Sequence, residues 1–306
     1  LAIDWEKLLS VDCTKFSSLL IDHSCCSEGK LQIRGYSLPF TGTQQRWDII
    51  IDELSKLLLK YVFPETERPE DIEWYKARDK FGDISPKTDG KLGELLLYYL
   101  VEAVLKTPLM GYKLKDLSNP NDQVKGADGV FVGTYEGETA LLIGESKIHK
   151  KLKGAISSAI VSLHRFHNNA GPYANELLIA RKYPKERGLD KNQLEEIINI
   201  IDGSADRVLV HPILISYDFK EISEISSRAR NKSEAETFLK AAIHEEFSKW
   251  KTGVSSRKKW FPKPYQVYLD FFFIPSESSL QLRELFYERL HGHPYVYETP
   301  EKGTRD

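Results

Sequence analysis

The chain has 306 residues, 41% of them hydrophobic and 29% charged, a composition that supports a large core and excludes a disordered protein. Its 43 basic and 45 acidic residues leave a formal net charge of -2, so any contact with nucleic acid rests on a local basic patch and not on a global field. No run approaches the about 18 apolar residues of a membrane helix, the first twenty residues lack a signal-peptide plan, and Cys13, Cys25 and Cys26 form no CxxC pair, so a protein of the reducing cytoplasm is expected.

In chain order, residues 30–38 (KLQIRGYSL) alternate as a strand and 45–63 have the period of a helix. The polar, proline-containing run 64–90 reads as a loop with a short helix. From Lys91 the pattern sharpens. Residues 91–107 form a mostly apolar helix whose exceptions, Lys91, Glu94, Tyr98, Glu102 and Lys106, fall on one stripe. Two β-rich runs, GVFVGTY and TALLIGESK, are joined by Glu136-Gly137-Glu138 as a hairpin. A helix follows from about His149 to Phe166. Strands are expected at 176–180, 207–217 and 265–275, and helices at 191–202, 233–250 and 278–290. The alternation implies an α/β fold with a mixed central sheet flanked by helices on both faces. Residues 1–90 are expected to be an N-terminal α/β lobe with a regulatory or partner-binding role, and 91–306 the core.

The hairpin carries the chemistry. Glu145 and Lys147 are two apart and share a strand face, while Ser146 points the other way. With the turn at Gly137, Asp128 comes out opposite Glu145 at the open end. Two convergent carboxylates, with a backbone carbonyl and water, are the hard oxygen donors that Mg²⁺ or Mn²⁺ prefers. Such a site suits phosphodiester hydrolysis, with the Lys147 ammonium stabilising the charged transition state. Glu94 is the candidate helix acid, and Glu102 on the same stripe is the alternative.

An acid on a helix, then D…ExK across a hairpin, then a second helix resembles the PD-(D/E)xK nuclease core of restriction endonucleases and repair nucleases. The segments KLGELLLYYL, GADGVFV and LLIGESKIHKKLKGAISSAI are similar to the HamA (DUF1837) family, the nuclease subunits of the bacterial Hachiman anti-phage system. The resemblance implies a restriction-endonuclease-like fold and a metal-dependent endonuclease, a DNase acting in antiviral defence. It implies Asp128 and Glu145 as metal ligands, Lys147 as the catalytic lysine and Glu94 as the completing acid, with Mg²⁺ or Mn²⁺ as cofactor. It also implies DNA and a superfamily 2 helicase, HamB, as partners. Ala127 stands where the superfamily's name has proline. A ribonuclease using the same residues, and an inactive nuclease-like module that binds a partner, are the alternatives.

Lys150, Lys151 and Lys153 are either an exposed first turn or backbone contacts for nucleic acid. In SSRKKWFPKPY, Arg257, Lys258, Lys259 and Lys263 interleave with Trp260 and Phe261, which suits either a surface loop or a nucleic-acid contact. His164 and His167 have a metal-ligand spacing but no evident third ligand, so they read as surface or packing histidines.

Overall fold

The structure is a computed structural model and describes residues 3–63, 74–82, 85, 86, 90–111, 127–168, 177, 178, 180, 181, 189–258 and 267–297. The strands are β1 (Ile21–Glu28), β2 (Leu31–Ser37), β3 (Phe40–Thr41), β4 (Gln44–Gln45), β5 (Leu109–Gly111), β6 (Gly129–Tyr135), β7 (Glu138–His149), β8 (Val208–Asp218) and β9 (Tyr268–Ser276). Seven of them make one mixed sheet in the order β1-β2-β9-β8-β7-β6-β5, and β3 and β4 pair separately. The four central strands β2, β9, β8 and β7 run parallel, with antiparallel partners outside them. Strands covered on both faces need apolar residues at every position, hence Ile213-Leu214-Ile215 and Phe271-Phe272-Phe273, all fully buried.

Helices form a layer on each face. Leu214 and Phe272 point into one core with α2 (Trp47–Val62), α3 (Trp74–Phe81), α4 (Lys91–Leu100) and α9 (Ser279–His291). Ile213, Ile215, Phe271 and Phe273 point into the opposite core with α5 (Leu152–Asn168), α7 (Glu221–Arg228) and α8 (Lys232–Lys258). A third cluster places α6 (Lys191–Asp202) over β6 and β7. The remaining α1 (Phe16–Leu19) is one turn leading into β1. The fold is the expected mixed α/β sheet between helical layers, in keeping with a restriction-endonuclease-like architecture. The N-terminal α/β portion is built onto this sheet, because β2 pairs with β9 over residues 31–35. Among the described residues no helix is long and apolar enough to cross a membrane.

Several expectations are corrected. The described residues of 176–180 are helical, not a strand: Leu177 and Ala180 pack inward three apart while Leu178 stays exposed, a helical and not an alternating pattern. β1 and β5 were not anticipated, and β7 runs on to His149, so α5 starts three residues late. The polar stripe of the 91–107 helix does not face solvent. Tyr98 and Glu102 are buried, and the last turn, Val101–Leu105, widens into a π-helix that ends at Lys106 with φ 55°.

Glu102 is tolerated inside because its oxygens are taken by backbone donors. Oε2 accepts from the amides of Ser10 at 2.7 Å and Val11 at 3.0 Å, and Oε1 accepts from Leu109 at 3.0 Å. One carboxylate thus ties the N-terminal segment and β5 to the helix that leads to the candidate site. In central strand β8, Pro212 has no N–H to donate, and the adjacent His211 Nδ1 lies 2.9 Å from the Ile143 carbonyl of β7. A carbonyl only accepts, so Nδ1 carries the proton and Nε2 accepts from His167 Nε2 at 2.8 Å. His167 is therefore a packing histidine, as expected, and exposed His164 is contacted by the Asn168 amide.

Two stability outcomes follow from these buried groups. Glu102→Ala leaves three amides short of an acceptor and should lower the unfolding free energy by about 3 kcal/mol or more in urea melts; a loss below about 1 kcal/mol would show that water replaces the carboxylate. Burial, with neighbouring His167, pushes His211 down to about 3. A histidine depressed in the fold contributes fully above its unfolded pKa of about 6.5, and that contribution drains away as pH falls from there toward 3. Stability should drop by about 2 kcal/mol from pH 7 to pH 5 on this account, with a shallower dependence in His211→Gln. Equal pH slopes in the two proteins would remove His211 as the cause.

Candidate active site

The hairpin turn is a two-residue connection in which Glu136 and Gly137 both have positive φ, at 51° and 84°. This is the turn whose twist matches paired strands, and it pins the register. Tyr135 pairs with Glu138 and Gly129 with Gly144, which sets Asp128 opposite Glu145. The Asp128 amide donates to the Gly144 carbonyl at 2.9 Å, extending the ladder past the end of β6.

The two carboxylates are both nearly buried. Asp128 is 7% exposed, Glu145 6% and the Lys147 side chain 25%. Lys147 Nζ is ion-paired with Glu145 Oε1. Asp128 Oδ2 accepts two hydrogen bonds from Ser146, one from the backbone amide and one from the hydroxyl, both 2.7 Å. Ser146 was expected to point away from Glu145; its side chain lies against Gly93 of α4 and also bonds Asp128. A carboxylate oxygen held by an N–H and an O–H together is fixed in rotamer.

Helix α4 comes in against this serine. A Cβ on Gly93 would lie 2.9 Å from Ser146 Oγ and 3.3 Å from its Cβ, so only glycine lets the helix sit this close. Glu94 follows directly, half-buried, with the Tyr61 hydroxyl 3.5 Å from its Oε2. Glu102, the other acid considered for the helix, has its oxygens engaged by the three amides described above. From sequence Ser146 was offered only for its backbone carbonyl and Gly93 only as the neighbour of Glu94; the serine's hold on Asp128 and the glycine's close approach were not read. The Gly93-Glu94 pair was the available signal for the close approach.

Further along β7, Lys150, Lys151 and Lys153 are exposed and line a cleft of about 1020 Å³ that also includes Arg257. Arg257 is partly committed within the fold, donating to Ser157 Oγ at 2.6 Å and to the Gly253 carbonyl at 3.0 Å. Ser255 to Lys258 belong to α8 and not to a loop. Lys258 ends that helix, and Lys259, Trp260, Phe261 and Lys263 lie outside the described residues.

The donor set fits a hard divalent cation in type: the groups are carboxylates and backbone oxygens. Among the described residues no three of His, Cys, Asp or Glu are gathered to enclose an ion, so further ligands would have to be water, backbone or substrate oxygens.

A search of curated proteins finds no match to the sequence. The family model for HamA matches residues 14–290, a span that contains the hairpin, α4 and all but the ends of the described fold, and the chain belongs to the HamA family of Hachiman defence components.

Proposed function

We propose that the chain is a metal-dependent nuclease of the PD-(D/E)xK type that cuts DNA as the effector of its defence system, together with a superfamily 2 helicase of the HamB kind. The observation that carries this reading is that the hairpin register sets buried Asp128 opposite buried Glu145 at its open end, with Lys147 ion-paired to Glu145. Mg²⁺ or Mn²⁺ held by Asp128 and Glu145, with Glu94 in support, would supply a water of lowered pKa and neutralise charge on the phosphate. Lys147 holds a positive charge where the transition state gains negative charge, and Glu145 orients its ammonium. Ser146 fixes one oxygen of Asp128 through its amide and hydroxyl. The low exposure of the acids keeps bulk water away and strengthens each of these interactions.

A second reading is favoured by one observation: the carboxylates already have partners, Lys147 for Glu145 and Ser146 for Asp128, and no third acid closes on them among the described residues. In that reading the site is inactive and the fold serves to hold a partner. A ribonuclease would use the same residues on a different strand, and parallel assays with single-stranded DNA, duplex DNA and RNA separate the substrates.

Purified protein, assayed alone and with its helicase, should cleave nucleic acid with added Mn²⁺ or Mg²⁺. Glu145→Gln and Lys147→Ala should each reduce the rate by about 10²-fold or more; cleavage at the parent rate by both variants would sink the assignment. Ser146→Ala removes one of the two bonds to Asp128 and should raise the metal concentration for half-maximal cleavage about tenfold, with an unchanged thermal melt. An unshifted metal titration would show that the backbone amide alone positions the aspartate.

A further inference from the structure

The cleft beyond the candidate site has a charge arrangement that the fold itself does not use. It lies between the start of α5, the end of β8 and α8. Lys150, Lys151, Lys153 and Lys220 line it, all exposed, and none has a carboxylate partner among the described residues. Several lysines elsewhere are paired, as Lys15 is with Glu53, Lys232 with Glu236 and Lys251 with Glu28. The acids of the cleft are largely spent. Glu246 is 3% exposed and takes the Tyr217 hydroxyl at 2.7 Å and the Lys249 ammonium, and Asp218 accepts from the Ser279 amide at 2.7 Å. Glu221 and Glu224 occupy the first turn of α7, where they offset its dipole.

The lysines at the start of α5 run against local preference. Lys150 and Lys151 immediately precede, and Lys153 lies in, the first turn of a 17-residue helix whose first turn holds no acid, so like charges meet the positive end of the helix dipole. Such a conflict costs stability and is relieved by an anion. The position gives the anion its identity. Lys147 pairs with Ile215 and His149 with Tyr217, so Tyr217 of the cleft lies one same-face step, about 7 Å, beyond the level of Lys147. The cleft therefore begins where the proposed cleavage site ends, on the same face of the sheet.

We propose that this cleft binds the phosphodiester backbone of the nucleic-acid strand flanking the cleavage point, with Lys150, Lys151, Lys153 and Lys220 contacting successive phosphates. The proposal rests on the nuclease reading for its ligand. The cleft's aromatic residues Tyr217 and Phe219 are buried, at 3% and 4% exposure, so they offer no face for stacking bases and the contact reads backbone and not sequence.

The test uses the full chain carrying Glu145→Gln, and labelled single-stranded DNA, single-stranded RNA and duplex DNA, followed by fluorescence anisotropy from about 50 to 200 mM salt. Adding Lys150→Gln, Lys153→Gln and Lys220→Gln together should weaken binding about tenfold or more at low salt and flatten the salt slope by about 2 to 3, near one unit per lost phosphate contact. Lys56→Gln, an exposed position on α2 at the opposite face, should change neither. An unchanged affinity and slope in the triple variant, an equal loss in Lys56→Gln, or no binding by the parent would overturn the proposal. Cleavage by the chain with native Glu145 is scored separately. Glu145-dependent cutting with an unchanged slope removes the cleft and keeps the nuclease; a flattened slope with no cutting under any metal removes the nuclease and keeps the cleft.

Discussion

The register of the β6–β7 hairpin is the constraint on which the remaining arrangement depends. Glu136 and Gly137 adopt the left-handed conformations of a two-residue turn, and the seven pairs that follow bring Asp128 opposite Glu145. A slip of one residue would move every side chain of β7 to the other face. It would turn Leu142 out of one core and Ile143 out of the other, so the hydrophobic cores on the two sides hold the register that places the acids. The site is thus positioned by apolar packing many residues away from it.

Helix α4 and its π-helical extension divide two acids between structure and chemistry. Glu102 lies fully buried and binds the amides of Ser10, Val11 and Leu109, which fixes the helix against the N-terminal segment and β5. Gly93, at the other end, gives up a side chain so that the helix packs onto Ser146. The helix is anchored at its far end and close-packed at its near end, where Glu94 follows the glycine that touches Ser146. The widened last turn, Val101–Leu105, contains Glu102 itself.

The hairpin, the long helices and the parallel core strands were legible because each has a strong local period or a turn with its own chemistry. Gly129 to Tyr135, and Thr139 to Lys147 within β7, are read correctly from alternation around a glycine turn. What was not legible depends on contacts far apart in sequence. β1 carries Asp22, His23, Ser24 and Ser27, and its strand character comes from pairing with β2. The run 176–180 is short and apolar, and periodicity cannot separate strand from helix there. In the site, spacing alone brings together Asp128, Glu145 and Lys147. It does not reveal that the Ser146 side chain bonds Asp128, nor that Glu102 spends its charge on amides about 90 residues earlier in the chain.

Charge along β7 and into α5 changes sign in a short distance. Two opposed acids stand at Glu145 and Asp128, Lys147 sits one same-face step on, and unpaired lysines follow from Lys150 to Lys153. From Glu145 to the end of β7 at His149 is about 13 Å at about 3.3 Å per residue, more than a Debye length of about 8 Å at physiological ionic strength. The two ends therefore act on a polyanion separately. The lysines attract a phosphate chain whatever the state of the acids, whereas the two carboxylates repel the scissile phosphate until positive charge beyond that of Lys147 stands between them. Under the proposed function, recruitment of the strand and its productive seating are separate events, the first set by salt and the second by what the acids hold.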